Sequence, residues 1–172
     1  NISAALLRDG DQVRVVDDLS SGYRSNLKAL DGVELIEGDV RDADLMMRAA
    51  EGCEVVFHLA ASVGNKRSID NPVEDAEINA LGTMRVLEAA RAAGARKVVV
   101  SSSAGIYGEL KTLPIAEDHP LEPLTPYGVS KLFSEKQALA YAHVYGMEAI
   151  CLRYFNVYGP NQRFDGYGNV IP

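Results

Sequence analysis

The sequence predicts an α/β domain on a doubly wound parallel sheet, and three observations carry that expectation. Short β-branched runs alternate with longer helical patterns along the whole chain. The run Lys97-Val98-Val99-Val100 passes straight into Ser101-Ser102-Ser103, as a buried parallel strand does where it enters a loop. Glycines stand where the helical patterns stop, at Gly10, Gly52, Gly94 and Gly146. Strands separated by helices of this length imply a parallel sheet.

Taken in order, residues 3–9 read as the end of a helix stopped at Gly10, and 12–17 as a strand. A second strand is expected at 33–37. Residues 42–51 form a helix, with Ala49-Ala50 before the breaker Gly52, and 54–59 form the next strand. A long helical pattern runs over 72–93 and ends at Gly94. The strand at 97–101 follows, then a helix over 127–145 and a strand over 148–154.

The 172 residues, 47% of them hydrophobic, suffice for one α/β domain with a real core. A formal net charge of -7 argues against a nucleic-acid or anionic-membrane partner. Anionic nucleotides stay compatible, because helix N-termini and local basic groups bind phosphate within an acidic protein. Cys53 and Cys151 have no metal or redox spacing, and Cys151, within Ala149-Ile150-Cys151-Leu152, reads as a buried structural thiol. With no signal peptide or long apolar span, the expected location is the cytoplasm.

The chemistry concentrates in Tyr127-Gly128-Val129-Ser130-Lys131. On a helix, positions i and i+4 share a face, so the Lys131 ammonium is expected beside the Tyr127 phenol. A nearby cation favours the phenolate and lowers the tyrosine pKa toward the working pH, which suits removal of a proton from an alcohol. Alone, the spacing usually marks a surface tyrosine and a solvated lysine. Here it is joined by the Ser-rich end of the 97–101 strand, where open α/β sheets collect their chemistry. A serine there can share a hydrogen bond with Tyr127 and a reacting oxygen, although most serine clusters satisfy only their own turn.

Seven motifs then align in order: Val15-Val16-Asp17-Asp18-Leu19-Ser20-Ser21-Gly22, Gly38-Asp39-Val40-Arg41-Asp42, His58-Leu59-Ala60-Ala61, Asn79-Ala80-Leu81-Gly82-Thr83, the Ser103 strand end, Tyr127-Gly128-Val129-Ser130-Lys131, and Arg153-Tyr154-Phe155-Asn156-Val157-Tyr158-Gly159-Pro160. With these the chain resembles the extended branch of the short-chain dehydrogenase/reductases, the nucleotide-sugar epimerases and dehydratases, and among them most the 4-epimerases of UDP-sugars. The resemblance implies a Rossmann-like fold, NAD as cofactor, a nucleotide-diphosphate sugar as substrate and a homodimer. It implies Ser103, Tyr127 and Lys131 as the catalytic set. Cofactor contacts carried over with it are Asp17, Asp18, Asp39, Val40, Leu59, Ala60, Ala61, Asn79, Ser101, Tyr127, Lys131 and Tyr154. Substrate contacts are Ser103, Tyr127, Asn156, Asn169 and Val170. Asp17, at a strand end, suits the two hydroxyls of an adenosine ribose and so favours NAD over NADP; Asp17-Asp18 as turn caps is the plainer reading.

The implied reaction is C4 epimerisation: Tyr127 takes the proton of the sugar 4-hydroxyl, Ser103 hydrogen-bonds the same oxygen, and a 4-keto sugar turns before reduction. The dehydratases of this branch carry an Asp-Glu pair after the catalytic Ser or Thr. This chain has Ala104-Gly105 there. Dehydratase, decarboxylase and 4-ketoreductase chemistry are the alternatives, and a non-catalytic NAD-binding protein is a further one. His58, inside Val56-Phe57-His58-Leu59, reads as a packed strand histidine, and His119 and His143 sit in no motif. The segment 63–69, with Lys66 and Arg67, reads as a basic loop facing a phosphate, an altered sugar or solvent.

The Gly-rich turn that opens a dinucleotide fold, and the strand before it, are not found in the sequence. The expected organisation is an incomplete NAD-binding domain over 1–160 and the start of a substrate-binding region over 161–172, within a parent of about 300 residues. Without a central strand, the strands at 12–17 and 54–59 have bare edges. Unpaired buried backbone groups cost about 1–3 kcal/mol each against a total stability of ~5–15 kcal/mol. The polypeptide is therefore expected to fold poorly or to pair those two strands directly.

Overall fold

Five parallel strands form two separate sheets in the computed structural model, which describes residues 1–162. Strand β1 (Val13–Asp17) pairs with β2 (Val33–Glu37), from Val13 opposite Val33 to Asp17 opposite Glu37. Strand β3 (Val55–His58) pairs with β4 (Lys97–Ser103), and β4 with β5 (Glu148–Tyr154), ending at Ser103 opposite Tyr154. The expected parallel α/β architecture is present. Direct pairing of β1 with β3 is not. The two strands are instead held by one helical layer: Val16 of β1 and Val56 of β3 pack on a shared cluster of Val40, Met46, Ala50, Val86 and Ala89. Apolar contact with that layer seats each strand without a hydrogen bond between them.

The helices begin and end where local chemistry dictates. Helix α1 spans Ile2–Arg8. Helix α2 (Ala43–Ala50) is capped by Asp42, whose carboxylate accepts the Leu45 N–H at 2.9 Å. A short helix that the sequence reading missed, α3 (Asn65–Asp70), occupies the expected basic loop. The long pattern expected over 72–93 is found as α4 (Pro72–Asp75), a wide π-helical turn (Ala76–Leu81) and α5 (Gly82–Ala92). Helix α6 (Pro126–Tyr145) starts with Thr125 accepting the Gly128 N–H at 3.1 Å, has proline in its first turn, and stops at Gly146 with φ 72°.

Strand β4 is central to its sheet, and its β-branched run is buried on both faces: Val98 is 0% and Val100 1% exposed. These residues pack with Leu87 and Ala90 of α5, Ala138 and Tyr141 of α6, and Met147. Burying an aliphatic side chain of this size contributes about 1.5–3 kcal/mol, so α5 and α6 are fixed against the strand that carries the serines. The serine run lengthens β4 by two residues beyond the expected 97–101, to Ser103.

Candidate active site

The start of α6 is pressed against the loop that follows β4, and Gly128 makes this approach feasible. A Cβ at Gly128 would lie 2.6 Å from the Gly105 carbonyl oxygen and 2.9 Å from Pro123 Cβ. The close approach brings Tyr127 into hydrogen-bond contact with Ser103. Ser103 also accepts the Gly105 N–H at 3.1 Å, which fixes its hydroxyl. One helical turn on, the buried Lys131 donates from Nζ to the Ser101 carbonyl oxygen at 2.9 Å and to Ser101 Oγ at 3.2 Å. Ser101, Ser103, Tyr127 and Lys131 thus form one group at the end of β4.

Their electrostatics differ from the sequence expectation in one respect. Burial lowers the Lys131 pKa to about 8, with Asp75 opposing the change. Tyr127 was expected to be lowered by Lys131 but is raised: burial dominates, the Ser103 hydrogen bond opposes it, and the negative charge of Asp75 adds to it. The Lys131 ammonium is turned to Ser101, not held on the phenol.

Behind this group lies a buried polar network that connects α6 to the π turn. The Asn79 amide accepts the Ser62 N–H at 2.8 Å and donates to the Ser62 carbonyl at 2.9 Å and to Asp75 Oδ1 at 2.9 Å. Asn79 is 1% exposed, so it braces the loop after β3 from within. Ser134 donates to the carbonyls of Asn79 and Ser130, both at 2.9 Å, and Thr83 Oγ1 donates to the Asn79 carbonyl at 2.6 Å. His58 Nε2 meets Thr83 Oγ1 at 2.9 Å. Burial, with Lys131 adding to it, lowers the His58 pKa to about 3, so this ring is a neutral packed histidine, as the strand pattern implied.

A second buried group supports the same strand. Glu135 accepts from Ser102 Oγ at 2.9 Å and pairs with Arg153 at 2.7 Å, while Arg153 also donates to the Tyr107 hydroxyl and the Glu117 carbonyl. Burial pushes the Glu135 carboxyl upward, but the Arg153 and Ser102 hydrogen bonds outweigh it and bring its pKa below the ordinary value. Removing one partner of such a pair leaves a buried charge and costs about 3–5 kcal/mol. His119 stacks edge-on against Tyr107 and accepts the Lys111 N–H at 2.9 Å, a packing role that no motif announced. Cys151 is half-buried, and burial raises its thiol to about 11, consistent with an inert thiol.

The residues expected at a cofactor fall in different places. Asp17 ends β1 and accepts the Leu19 N–H at 2.7 Å, while Asp18 accepts from the Ser20 N–H and hydroxyl as a turn cap. Asp39 is held by Arg41, whose side-chain hydrogen bonds lower its carboxyl pKa. Val40 is buried in the core below α2 and α5. Leu59, 42% exposed, and the half-buried Ala60 and Ala61 follow β3. Tyr154 ends β5 half-buried, and Asn156 lies exposed two residues on. Asn169 and Val170 lie outside the described residues. The donor set along the strand ends fits an adenine dinucleotide: a carboxylate after β1, small alanines after β3, and a hydroxyl and an ammonium at Ser101 and Lys131. Sequence reasoning passed over Asp75, Ser130, Ser62, Thr83 and Ser134. The i, i+4 spacing of Asp75 and Asn79 was the one available signal for the acid.

This parallel α/β fold and the Ser–Tyr–Lys group at a strand end are joined by a match to a family. The chain belongs to the NAD dependent epimerase/dehydratase family, whose model matches residues 1–172. It is 43% identical over 171 residues to the UDP-glucose 4-epimerase of Mycolicibacterium smegmatis, covering 96% of this chain and 55% of that protein. The crystal structure of a UDP-glucose 4-epimerase from Thermotoga maritima with UDP-glucose superposes with a TM-score of 0.89 at 36% identity, covering 97% of this chain and 54% of that one. The Thermus thermophilus UDP-glucose 4-epimerase complex with NAD gives a TM-score of 0.88 at 38% identity, with coverage of 97% and 54%. The chain spans about half the length of the curated relatives it matches. Among the described residues, no helix is long and apolar enough to cross a membrane.

Proposed function

We propose that the complete protein is an NAD-dependent 4-epimerase of a UDP-sugar of the UDP-glucose/UDP-galactose type. The observation that carries the reading is the convergence of Ser103, Tyr127 and Lys131 on one strand end. Asp17, Ala60, Ala61, Ser101 and Lys131 would hold the dinucleotide. NAD, when bound, supplies a hydride acceptor that is regenerated within the same turnover. Tyr127 takes the proton of the sugar 4-hydroxyl as that alcohol becomes a ketone, and returns it when the alcohol reforms on the other face. Ser103 steadies the phenolate and the sugar oxygen through one hydroxyl. Burial opposes the phenolate, so its formation rests on Ser103 and on the charged form of Lys131.

The absence of a carboxylate at Ala104-Gly105 supports epimerisation over dehydration. Incubating the complete protein with NAD and UDP-galactose is the test. UDP-glucose should accumulate to equilibrium with no net NADH, and Tyr127→Phe should slow it by about 10²–10⁴-fold. Loss of water from the sugar would identify a dehydratase. Steady consumption of reduced cofactor with a 4-keto sugar would identify a ketoreductase. Undiminished function in Tyr127→Phe would point to a non-catalytic protein.

A further inference from the structure

Asp75 takes no part in the proton transfer above, yet it is 2% exposed at the heart of the site. It is the last residue of α4, directly before the π turn. Both of its oxygens are held. Oδ1 accepts from Asn79 Nδ2 at 2.9 Å, and Asn79 is itself clamped to the Ser62 backbone. Oδ2 accepts from Ser130 Oγ at 2.7 Å, and the same hydroxyl lies 3.0 Å from the Tyr127 carbonyl oxygen. Ser130 sits between Tyr127 and Lys131 on α6, so the carboxylate is tied to the backbone that carries both.

Two neutral donors do not require a charge; an amide would also satisfy them. Burying an ionised carboxylate costs several kcal/mol, and an opposite charge offsets that cost. Every element packed around Asp75 offers candidates. From α3 come Lys66, Arg67 and Asp70, all exposed, with Lys66 paired to Asp70 at 2.6 Å. Glu74 of α4 and Glu77 of the π turn are exposed, and Glu77 faces Arg41 at 3.6 Å. His58 on β3 is neutral, and Glu135 of α6 is paired with Arg153. Lys131, 4% exposed, is the buried cation among these described groups, and its hydrogen-bond partners at Ser101 are uncharged.

We propose that Asp75 is the positioning residue of the site, fixing the start of α6 through Ser130 and serving as the counter-charge to Lys131. This role rests on the epimerase reading for its effect on turnover, but not for its effect on charge. The electrostatics agree in direction. Burial raises the Asp75 carboxyl, while Ser130, Asn79 and Lys131 pull it down. Asp75 in turn raises both Lys131 and Tyr127. Removing its charge therefore lowers both titrations, and the Tyr–Lys pair moves together as a coupled unit.

The test compares Asp75→Asn, Ser130→Ala and the parent in the complete protein. Tyrosinate absorbance is titrated in each, as the difference from the matching Tyr127→Phe protein. Asp75→Asn should shift the Tyr127 titration, and the low-pH limb of kcat, to lower pH. Ser130→Ala keeps the charge and removes the tether, so kcat should fall by about tenfold or more with KM little changed. A Tyr127 titration unmoved in Asp75→Asn overturns the counter-charge, and an unchanged kcat in Ser130→Ala overturns the tether. If Asp75→Asn does not fold, the ¹³C-carboxyl resonance of Asp75 in the parent protein must respond when Lys131 titrates; a flat response overturns the proposal. A shifted titration in a protein that epimerises nothing upholds the coupling and removes the epimerase reading. An active enzyme with coincident titrations does the reverse.

Discussion

At the scale of single residues, His58 makes the site dependent on pH through stability as well as chemistry. Its folded pKa of about 3 lies below the ordinary 6.5, so the native state binds the neutral ring. The sign follows: the stabilisation is fully present above about pH 6.5 and is lost as pH falls toward 3. The slope approaches about 1.4 kcal/mol per pH unit. Thermal melts of the parent and of His58→Asn should diverge in this window, with the variant flatter; parallel curves would show that His58 charges freely in the fold. The strand alternation was enough to read His58 as packed. Asp75 was not legible in the same way, because Glu74, Asp75 and Glu77 look alike in sequence, and only the burial of one separates it from two solvated neighbours.

At the scale of elements, local propensity and tertiary fit oppose each other at Gly128. Alanine is favoured over glycine in a helix by about 1 kcal/mol, yet its Cβ would meet the Gly105 carbonyl oxygen at 2.6 Å. Overpacking of this kind costs about 1–3 kcal/mol and here would push Tyr127 away from Ser103. Gly128→Ala should therefore lower both the melting temperature and the turnover of the complete protein. A more stable, fully active variant would mean that the helix start has room to retreat. The β-branched strand runs and the glycine stops made most elements readable. The π turn was not readable, since its residues Ala76–Leu81 carry an ordinary helical pattern and only the contacts of Asn79 with Ser62 reveal the wider turn. Helix α3 was hidden by its charged, loop-like composition.

At the scale of the molecule, the split sheet divides the backbone into unequal parts. Strand β4 has a neighbour on each side and a core of its own, whereas β1 and β2 pair only with each other. Hydrogen exchange on this polypeptide should find the slowest amides at Val98–Val100 and faster exchange along β1 and β2, because small buried area lowers the cost of local opening. Uniform protection across both sheets would refute that division. The parallel architecture was legible from alternation alone. That the two edges stay apart was not, because it depends on a helical layer that seats β1 and β3 through shared apolar contacts.

The π turn carries one residue more than an α-helical turn spanning the same length, so its geometry behaves as an insertion in a helix. Deleting any one of residues 76–81 would restore a regular helix with both ends intact. Everything before the deletion would then rotate by about 100° relative to α5. Asp75 would face away from Ser130 while Thr83 and Ser134 kept their places. A single-codon change could thus uncouple the acid from the tyrosine helix without altering any side chain of the Ser–Tyr–Lys group.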